Sequence, residues 1–404
     1  PGLYDAFGTE SFDDLYTSYE SDGSVPRKTI GAQELFLDIL KERAETGRLY
    51  IMNIDHCNSH SSFLDKVEMS NLCQEITLPT KPLEHIDDPN GEIALCILSA
   101  VNVGKIRDLD DLKVLCDLAV RSLDELIDFQ NYPINAAEIA TKARRSLGIG
   151  FIGLAHYLAK NGHDYNDPEA WQLVHNLTET FQYYLISATV DLAEEKGACE
   201  YSGRTKYGNG ILPIDTYKHD VDEIVPNDLH YDWEDLRLRV KKHGVRNSTL
   251  SAQMPSESSS VVSNATNGIE PPRGYLSIKK SKKGPLKQIV PQYATLKNNY
   301  TLLWDMGSNR GYINIVAVMQ KFFDQAISGN WSYNPLQYPD NEVPISVMAQ
   351  DLLTTYKYGW KTSYYQNTYD FKTDEVDETD KESLENLIAQ LENAEEEECE
   401  SCKI

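Results

Sequence analysis

Long apolar runs are absent from this 404-residue chain, and basic residues are scarce. Its longest apolar stretches, 93–103 and 147–158, are interrupted by polar residues or glycine and fall short of the roughly 18 residues that span a bilayer. The 38 Lys and Arg are outnumbered by 63 Asp and Glu, giving a formal charge of −25. This charge disfavours direct contact with nucleic acid or membranes. Because no basic segment precedes an apolar stretch near Pro1, we expect a cytoplasmic protein.

Cysteine is also sparse, and the seven residues are Cys57, Cys73, Cys96, Cys116, Cys199, Cys399 and Cys402. Their odd number and irregular spacing disfavour a secreted disulfide framework and indicate a few working thiols in a reducing compartment. Cys116 lies in a helix-periodic run and is predicted to be core. Cys57 lies between His56 and His60, but no second ligand pair follows at zinc-site spacing, so we expect no metal.

The pentapeptide Asn-Leu-Cys-Gln-Glu at 71–75 is the first chemical signal. In an extended segment, Asn71, Cys73 and Glu75 would share one face, so that an amide and a carboxylate flank a thiol. This trio offers a sulfur for redox or radical chemistry, a general base and a hydrogen-bond partner for a hydroxyl. The alternative is an ordinary strand with a buried cysteine and two polar edges.

The end of the chain has a different composition, with fourteen Asp or Glu and three Lys in 370–404. Such a segment cannot bury enough apolar surface to order itself. Cys399 and Cys402 can close and reopen a small-ring disulfide by exchange, which is typical of a mobile shuttle for reducing equivalents. We therefore predict a catalytic region at 1–368 and a flexible acidic tail at 369–404.

Two further sequence features each allow a functional interpretation and a simpler structural one. The Ser-rich segment Pro255–Ser259 is expected to begin a helix, where hydroxyls and free backbone amides can hold a phosphate. The alternative is a helix cap without a ligand. The adjacent Tyr364 and Tyr365 can relay an electron and a proton by stepwise oxidation, whereas most tyrosine pairs serve only in packing.

Hydrophobic periodicity predicts an α/β core with a largely central sheet. Helices are expected at 32–46, 108–130, 134–161 with a break at 148–150, 168–197, 233–243, 312–328 and 344–358. Strands are expected at 49–54, 71–78, 92–103 and 245–252.

Together these features resemble the large, catalytic subunit of aerobic class I ribonucleotide reductase. The stretch Trp233-Glu-Asp-Leu236, seven further residues, and then Gly244-Val-Arg-Asn-Ser-Thr-Leu-Ser-Ala-Gln-Met-Pro255 is similar to that family's signature. Additional matches are 71–73, 264–273, 364–367 and the final Cys-Glu-Ser-Cys-Lys-Ile.

The resemblance implies a role for each matching residue. Cys73 would carry the thiyl radical that abstracts the 3′-hydrogen of the ribose, Glu75 would take the 3′-hydroxyl proton, and Asn71 would orient the sugar. Cys96 would be one half of a dithiol that supplies two electrons. The residues expected to contact a ribonucleoside diphosphate are Asn71, Leu72, Cys73, Gln74, Glu75, Pro255, Ser256, Glu257, Ser258 and Ser259.

The same resemblance implies partners. Tyr364 and Tyr365 would receive the oxidising equivalent from a metal-containing small subunit, so that no cofactor is bound directly. Cys399 and Cys402 would re-reduce the site and be recharged by thioredoxin or glutaredoxin. ATP and deoxynucleotide effectors would bind mainly an upstream part, and the completed large subunit would be a homodimer.

The family fold is a ten-stranded α/β barrel in two halves around a finger loop. Because the chain begins at Pro1 and no other cysteine is placed to complete the dithiol, we expect only the finger loop and second half, inactive without an upstream half. The alternative is an idle assembly or regulatory fragment that folds on a partner. A glycyl-radical or cobalamin reductase is disfavoured by Tyr364 and Tyr365, since those enzymes need no small subunit.

Overall fold

Helices and short strands alternate along the chain in the computed structural model, which describes residues 2–9, 11–281, 284–370 and 386. Within these residues the α-helices are α1 (Leu3–Ala6), α2 (Ser11–Ser21), α3 (Ala32–Thr46), α4 (Ile54–Ser59), α5 (Asp111–Phe129), α6 (Asn135–Arg144), α7 (Leu154–Lys160), α8 (Pro168–Lys196), α9 (Trp233–His243), α10 (Glu257–Val262), α11 (Tyr293–Leu296), α12 (Arg310–Gln320) and α13 (Ile345–Lys357). The strands are β1 (Ile51–Met52), β2 (Ile97–Asn102), β3 (Leu147–Ile152), β4 (Leu276–Ser281), β5 (Gly284–Ile289), β6 (Trp331–Tyr333), β7 (Thr362–Ser363) and β8 (Gln366–Thr368).

Local sequence signals account for the best-predicted helix, α9, whose bounds agree with the expected 233–243. Asp232 caps its start by accepting a hydrogen bond from the Asp235 backbone N–H. Gly244 follows its last turn with a φ of 73°, in the left-handed region where glycine is favoured. The predictions for α3, α5, α8 and α13 are likewise confirmed to within about three residues.

Four predicted elements differ from the structure, and one of them is the strand expected at 71–78, which is absent. The expected helix 134–161 breaks at 148–150 as predicted, but the break is the fully buried strand β3 between α6 and α7, because its Gly-rich centre lies extended against β2. The expected helix 312–328 ends at Gln320, and the chain beyond it runs beside residues 251–253. The expected strand 245–252 makes only isolated bridge contacts.

The central sheet is built from neighbouring chain segments that run parallel to one another. β2 pairs with β3 in parallel, with Ile97 opposite Leu147. Parallel bridges then connect Ile149 to Ser251 and Gln253 to Ile327. Within the described residues the strands form two-stranded pairs and do not close into a barrel, so that the expected half of a ten-stranded barrel stays a prediction.

The core lies between this sheet and helices α5, α8 and α12. Phe151 of β3 lies 4.6 Å from Phe181 of α8 between ring centroids, and Cys116 is fully buried, as predicted. In the described part of the chain, no helix is both long and apolar enough to cross a bilayer.

Candidate active site

Residues 71–76 form a tight loop rather than the expected strand. The Asn71 N–H donates to the Ile76 carbonyl (3.2 Å), and the Asn71 side-chain oxygen accepts the Ile76 N–H (3.1 Å). Gln74 has a φ of 68°, a left-handed conformation that breaks the alternation of an extended chain. The prediction that pleating places the polar trio on one face is therefore wrong. Loop closure brings the Asn71 side chain into hydrogen-bond contact with Glu75 instead.

The loop is anchored through Gln74 and leaves Leu72 exposed. The Gln74 side chain reaches the carbonyls of Ser363 (3.1 Å) and Ile51 (3.2 Å), which places its amide nitrogen toward them. Leu72 is 77% exposed. The loop therefore contacts the β1–β7 pair on one side while its tip is open.

Glu75 is buried and is held by Ser328. The Ser328 hydroxyl lies 2.5 Å from the Cys73 carbonyl and 3.2 Å from a Glu75 carboxylate oxygen. Burial raises the pKa of Glu75, while hydrogen bonds from Asn71 and Ser328 oppose that rise. A carboxylate with a raised pKa is suited to accept and release a proton.

The chain from Asp324 to Ser328, called the 324–328 segment below, connects the parts of the site. Lys361, fully buried, donates to the carbonyls of Asp324 and Gln325, both at 2.9 Å. Burial lowers the pKa of this ammonium to about 7. The Asp324 carboxylate accepts the Leu250 and Ser251 N–H groups at 2.9 Å. These contacts add to the backbone hydrogen bonds that join the segment to residues 251–253.

Cys96 lies immediately before β2 and faces the 324–328 segment. The Gln325 side-chain nitrogen lies 3.5 Å from the Cys96 sulfur. Burial raises the pKa of Cys96 to about 12, and the Gln325 hydrogen bond opposes this rise. The described cysteines are all free thiols, so no described disulfide partner is assigned to Cys96.

Tyr364 contacts Cys73 and packs against two further tyrosines. The Tyr364 hydroxyl lies 3.4 Å from the Cys73 sulfur. The Tyr364 and Tyr365 ring centroids are 4.2 Å apart, and the Tyr50 ring lies 4.7 Å from Tyr364 and 5.5 Å from Tyr365. Burial and hydrogen bonds with Cys73 and Tyr365 raise the pKa of Tyr364, whereas hydrogen bonds with Tyr50 and Tyr364 lower the pKa of Tyr365. The phenols therefore form one coupled group that ends at the thiol.

The predicted phosphate segment begins α10, as expected, with Ser256 at the N-cap position. The preceding Gln253 forms the parallel bridge with Ile327 and accepts the Ser328 N–H at 2.9 Å. Pro255–Ser259 therefore comes shortly after Gln253, a residue that pairs with the 324–328 segment. Cys399 and Cys402 lie outside the described residues.

The histidines beside Cys57 have structural partners. His56 contacts the Trp360 carbonyl at 2.9 Å, and His60 lies 2.9 Å from the Thr216 hydroxyl and 2.8 Å from the Gln320 carbonyl. Both imidazole rings therefore take part in structural hydrogen bonds.

Four contacting residues were not found from the sequence: Tyr50, Gln325, Ser328 and Lys361. Tyr50 stands in an apolar run, and the other three lie in segments without a recognisable motif. Tyr50, Gln325 and Ser328 contact site residues more than 200 positions away in the chain, and periodicity cannot show such contacts.

The fold and the site define a class of mixed α/β protein that holds thiols, a buried carboxylate and a coupled phenol group in one place. The family model for the ribonucleotide reductase barrel domain matches residues 1–366, and the chain belongs to this family.

Relatives agree with that assignment. The chain is 57% identical over 379 residues to the ribonucleoside-diphosphate reductase subunit alpha of Haemophilus influenzae, which covers 93% of the chain and 50% of the relative. It is 54% identical over 382 residues to ribonucleoside-diphosphate reductase 1 subunit alpha of Escherichia coli (93% and 50%). The subunit alpha of Enterobacteria phage T4 is 40% identical over 403 residues (98% and 51%). The chain spans about half the length of these curated relatives.

Proposed function

We propose that this chain forms the catalytic part of the large subunit of a ribonucleoside-diphosphate reductase, which converts ribonucleoside diphosphates into 2′-deoxyribonucleoside diphosphates. The observation on which this rests is the contact between the Tyr364 hydroxyl and the Cys73 sulfur. A phenol that meets a thiol at hydrogen-bond distance can exchange a hydrogen atom with it, which is what thiyl formation requires.

In this proposal a metal-containing small subunit supplies the oxidising equivalent, which passes from Tyr365 to Tyr364 and then to Cys73. The Cys73 thiyl radical removes the 3′-hydrogen of the substrate. Glu75 accepts the 3′-hydroxyl proton, and Asn71 hydrogen-bonds the sugar hydroxyls. The raised pKa of Glu75 supports its role as the base.

Replacement of the 2′-hydroxyl by hydrogen, with release of water, then requires two electrons and two protons, which a dithiol supplies as it closes to a disulfide. Cys96 would be one half, and the other half would lie outside this chain. The substrate would lie between the 71–76 loop and the first turn of α10, where Pro255–Ser259 would hold its diphosphate through hydroxyls and backbone amides. Residues 1–368 would thus form the catalytic region.

The tail at 369–404 would return electrons to this dithiol. Cys399 and Cys402 would reduce it and be recharged by thioredoxin or glutaredoxin. Effector nucleotides would bind mainly an upstream part, and the completed subunit would be a homodimer. The alternative of an idle assembly fragment is not favoured, because the relatives are named as reductase subunits.

The test uses the full-length protein with its small subunit. Cys73→Ser should abolish turnover with nearly unchanged nucleotide binding, because a serine hydroxyl is far harder to oxidise than a thiol. Cys96→Ser should allow the first radical step but stall before normal product. Cys199→Ser is the control, since Cys199 is a free, buried thiol with no assigned role. Normal turnover in both site variants would contradict the proposal.

A further inference from the structure

Gln325 contacts a thiol that the proposed reaction uses, yet nothing in the sequence singled it out. Its side-chain nitrogen lies 3.5 Å from the Cys96 sulfur. Among the described residues, this is the one hydrogen bond found to that sulfur. Glu75 and Asp324, the charged groups facing the sulfur, both oppose a negative charge there.

The orientation of the Gln325 amide is set by its other contacts. Its oxygen accepts the Thr77 N–H (3.3 Å), and its nitrogen donates to the Leu147 carbonyl (2.9 Å). A backbone N–H requires an acceptor and a carbonyl requires a donor, so the NH₂ group must be the end that faces Cys96. Gln325 is fully buried, so water does not compete for this amide.

The backbone of Gln325 is held as firmly as its side chain. Its carbonyl accepts hydrogen bonds from Lys361 and from the Gln320 side chain, each at 2.9 Å. Gly148 of β3 also approaches the sulfur so closely that a Cβ there would lie 2.9 Å from it. The Cys96 sulfur therefore lies close to the β3 backbone and to a donor whose position is fixed.

We propose that Gln325 is a thiol-activating residue, whose amide N–H stabilises the Cys96 sulfur while that sulfur carries negative charge in thiol–disulfide exchange. The inference rests on the proposed function, in which Cys96 is oxidised in each turnover. It adds to that function a residue, Gln325, that stabilises the Cys96 sulfur when this sulfur is the leaving group of the exchange.

The step that Gln325 assists is reduction of the disulfide that contains Cys96. A thiolate of an external dithiol attacks the other sulfur of that disulfide and forms a new S–S bond. The bond to Cys96 breaks, and its electron pair goes to the Cys96 sulfur, which leaves as a thiolate and then takes a proton from solvent. Hydrogen-bond donation stabilises this developing charge, which burial disfavours.

The test measures alkylation of Cys96 by iodoacetamide in the fully reduced, full-length protein, followed residue by residue by mass spectrometry between pH 7 and 9. Only the thiolate reacts, so the rate reports thiolate stability. Gln325→Glu keeps the shape but removes the donor, and Gln325→Leu removes both polar ends. Gln182→Leu, a buried glutamine that donates to the Tyr207 hydroxyl, is the control.

We expect Cys96 to react about five-fold more slowly in Gln325→Leu, the effect of one lost hydrogen bond, and more slowly still in Gln325→Glu above the pKa of the new carboxyl. Reaction at Cys199 should be unchanged in both, and Gln182→Leu should leave Cys96 unaffected. If one variant does not accumulate in folded form, the other makes the same comparison. Wild-type Cys96 reactivity in a folded Gln325 variant would overturn the inference.

A turnover assay separates this inference from the proposed function. With a small dithiol as reductant, Gln325→Leu should lower the multiple-turnover kcat while a pre-reduced enzyme still makes wild-type product in its first round. Cys96→Ser is assayed alongside. Sustained turnover by Cys96→Ser would contradict the proposed function. If Cys96→Ser stops turning over while the Gln325 variants turn over at the wild-type rate, only the role proposed for Gln325 is contradicted.

Discussion

The Tyr364 hydroxyl lies 3.4 Å from the Cys73 sulfur, although 291 residues separate the two in the chain. The Tyr364 N–H donates to the Gly329 carbonyl at 2.8 Å, and the Cys73 carbonyl accepts the Ser328 hydroxyl. The adjacent residues Ser328, through its hydroxyl, and Gly329, through its carbonyl, thus hold the backbones of both Cys73 and Tyr364. The contact is a product of the tertiary structure and would be lost with small shifts of either anchor.

Replacing Tyr364 with Phe should abolish turnover, because a phenyl ring has no O–H to exchange with the thiol. Nucleotide binding should be nearly unchanged, and the free energy of unfolding should fall by only about 1 kcal/mol. Tyr165→Phe is the control, since it also removes a buried hydroxyl, one that donates to the Ile269 carbonyl at 2.8 Å. Steady-state assays with both variants check this, and an active Tyr364→Phe enzyme would exclude the phenol route.

Replacing Tyr50 with Phe should lower kcat without abolishing it. The ring packing against Tyr364 and Tyr365 is kept, but the hydrogen bond that lowers the pKa of Tyr365 is lost. We expect about a five-fold effect, the value of one hydrogen bond, with KM unchanged. The measurement is kcat as a function of pH. A complete loss would mean that Tyr50 itself transmits the oxidising equivalent.

The raised pKa of Glu75 predicts the direction of the pH dependence. If ionised Glu75 is the base, kcat/KM should fall as the pH decreases through its pKa, at a higher pH than for an ordinary glutamate. Glu75→Gln should reduce activity by roughly 10²- to 10⁴-fold and remove this acid limb. An unchanged acid limb in the residual activity of the variant would assign the titration to another group.

Lys361 predicts a pH dependence of stability. Its pKa is lowered in the folded state to about 7, so between about pH 7 and 10 the unfolded state binds more protons. Wild-type stability relative to Lys361→Met should therefore rise with pH in this window, by at most about 1.4 kcal/mol per pH unit. Lys357→Met is the control, because the pKa of Lys357 is raised by Glu223. Denaturant unfolding at several pH values measures both, and parallel pH profiles would contradict the prediction.

Replacing Cys399 and Cys402 together with Ser should separate recharging from sugar chemistry. A pre-reduced variant should make about one round of product per active site, since the dithiol at the site is intact at the start. Turnover driven by thioredoxin should stop, and a small dithiol that diffuses in should restore part of the rate. Rapid-quench and steady-state assays compare these regimes. Wild-type cycling with thioredoxin would show that this pair is not the shuttle.

Local signals predicted most long helices and the family, and they singled out Cys73, Glu75 and Tyr364 as candidate site residues. Helices such as α9 follow from capping residues and apolar spacing, which act within a few residues. These local signals did not predict strand β3, because a Gly-rich apolar run is equally typical of a helix break and of a buried strand. The parallel partner β2 decides between them.

The sequence by itself determined which chemical groups are present, and the spacing of its motifs determined the family. Only the tertiary structure decided how those groups meet. Loop 71–76 is held by hydrogen bonds rather than by pleating, and Tyr50 and Gln325 reach the site from remote segments. The physical reason is that such contacts depend on where the buried sheet and the 324–328 segment place distant backbone, and no local periodicity records that placement.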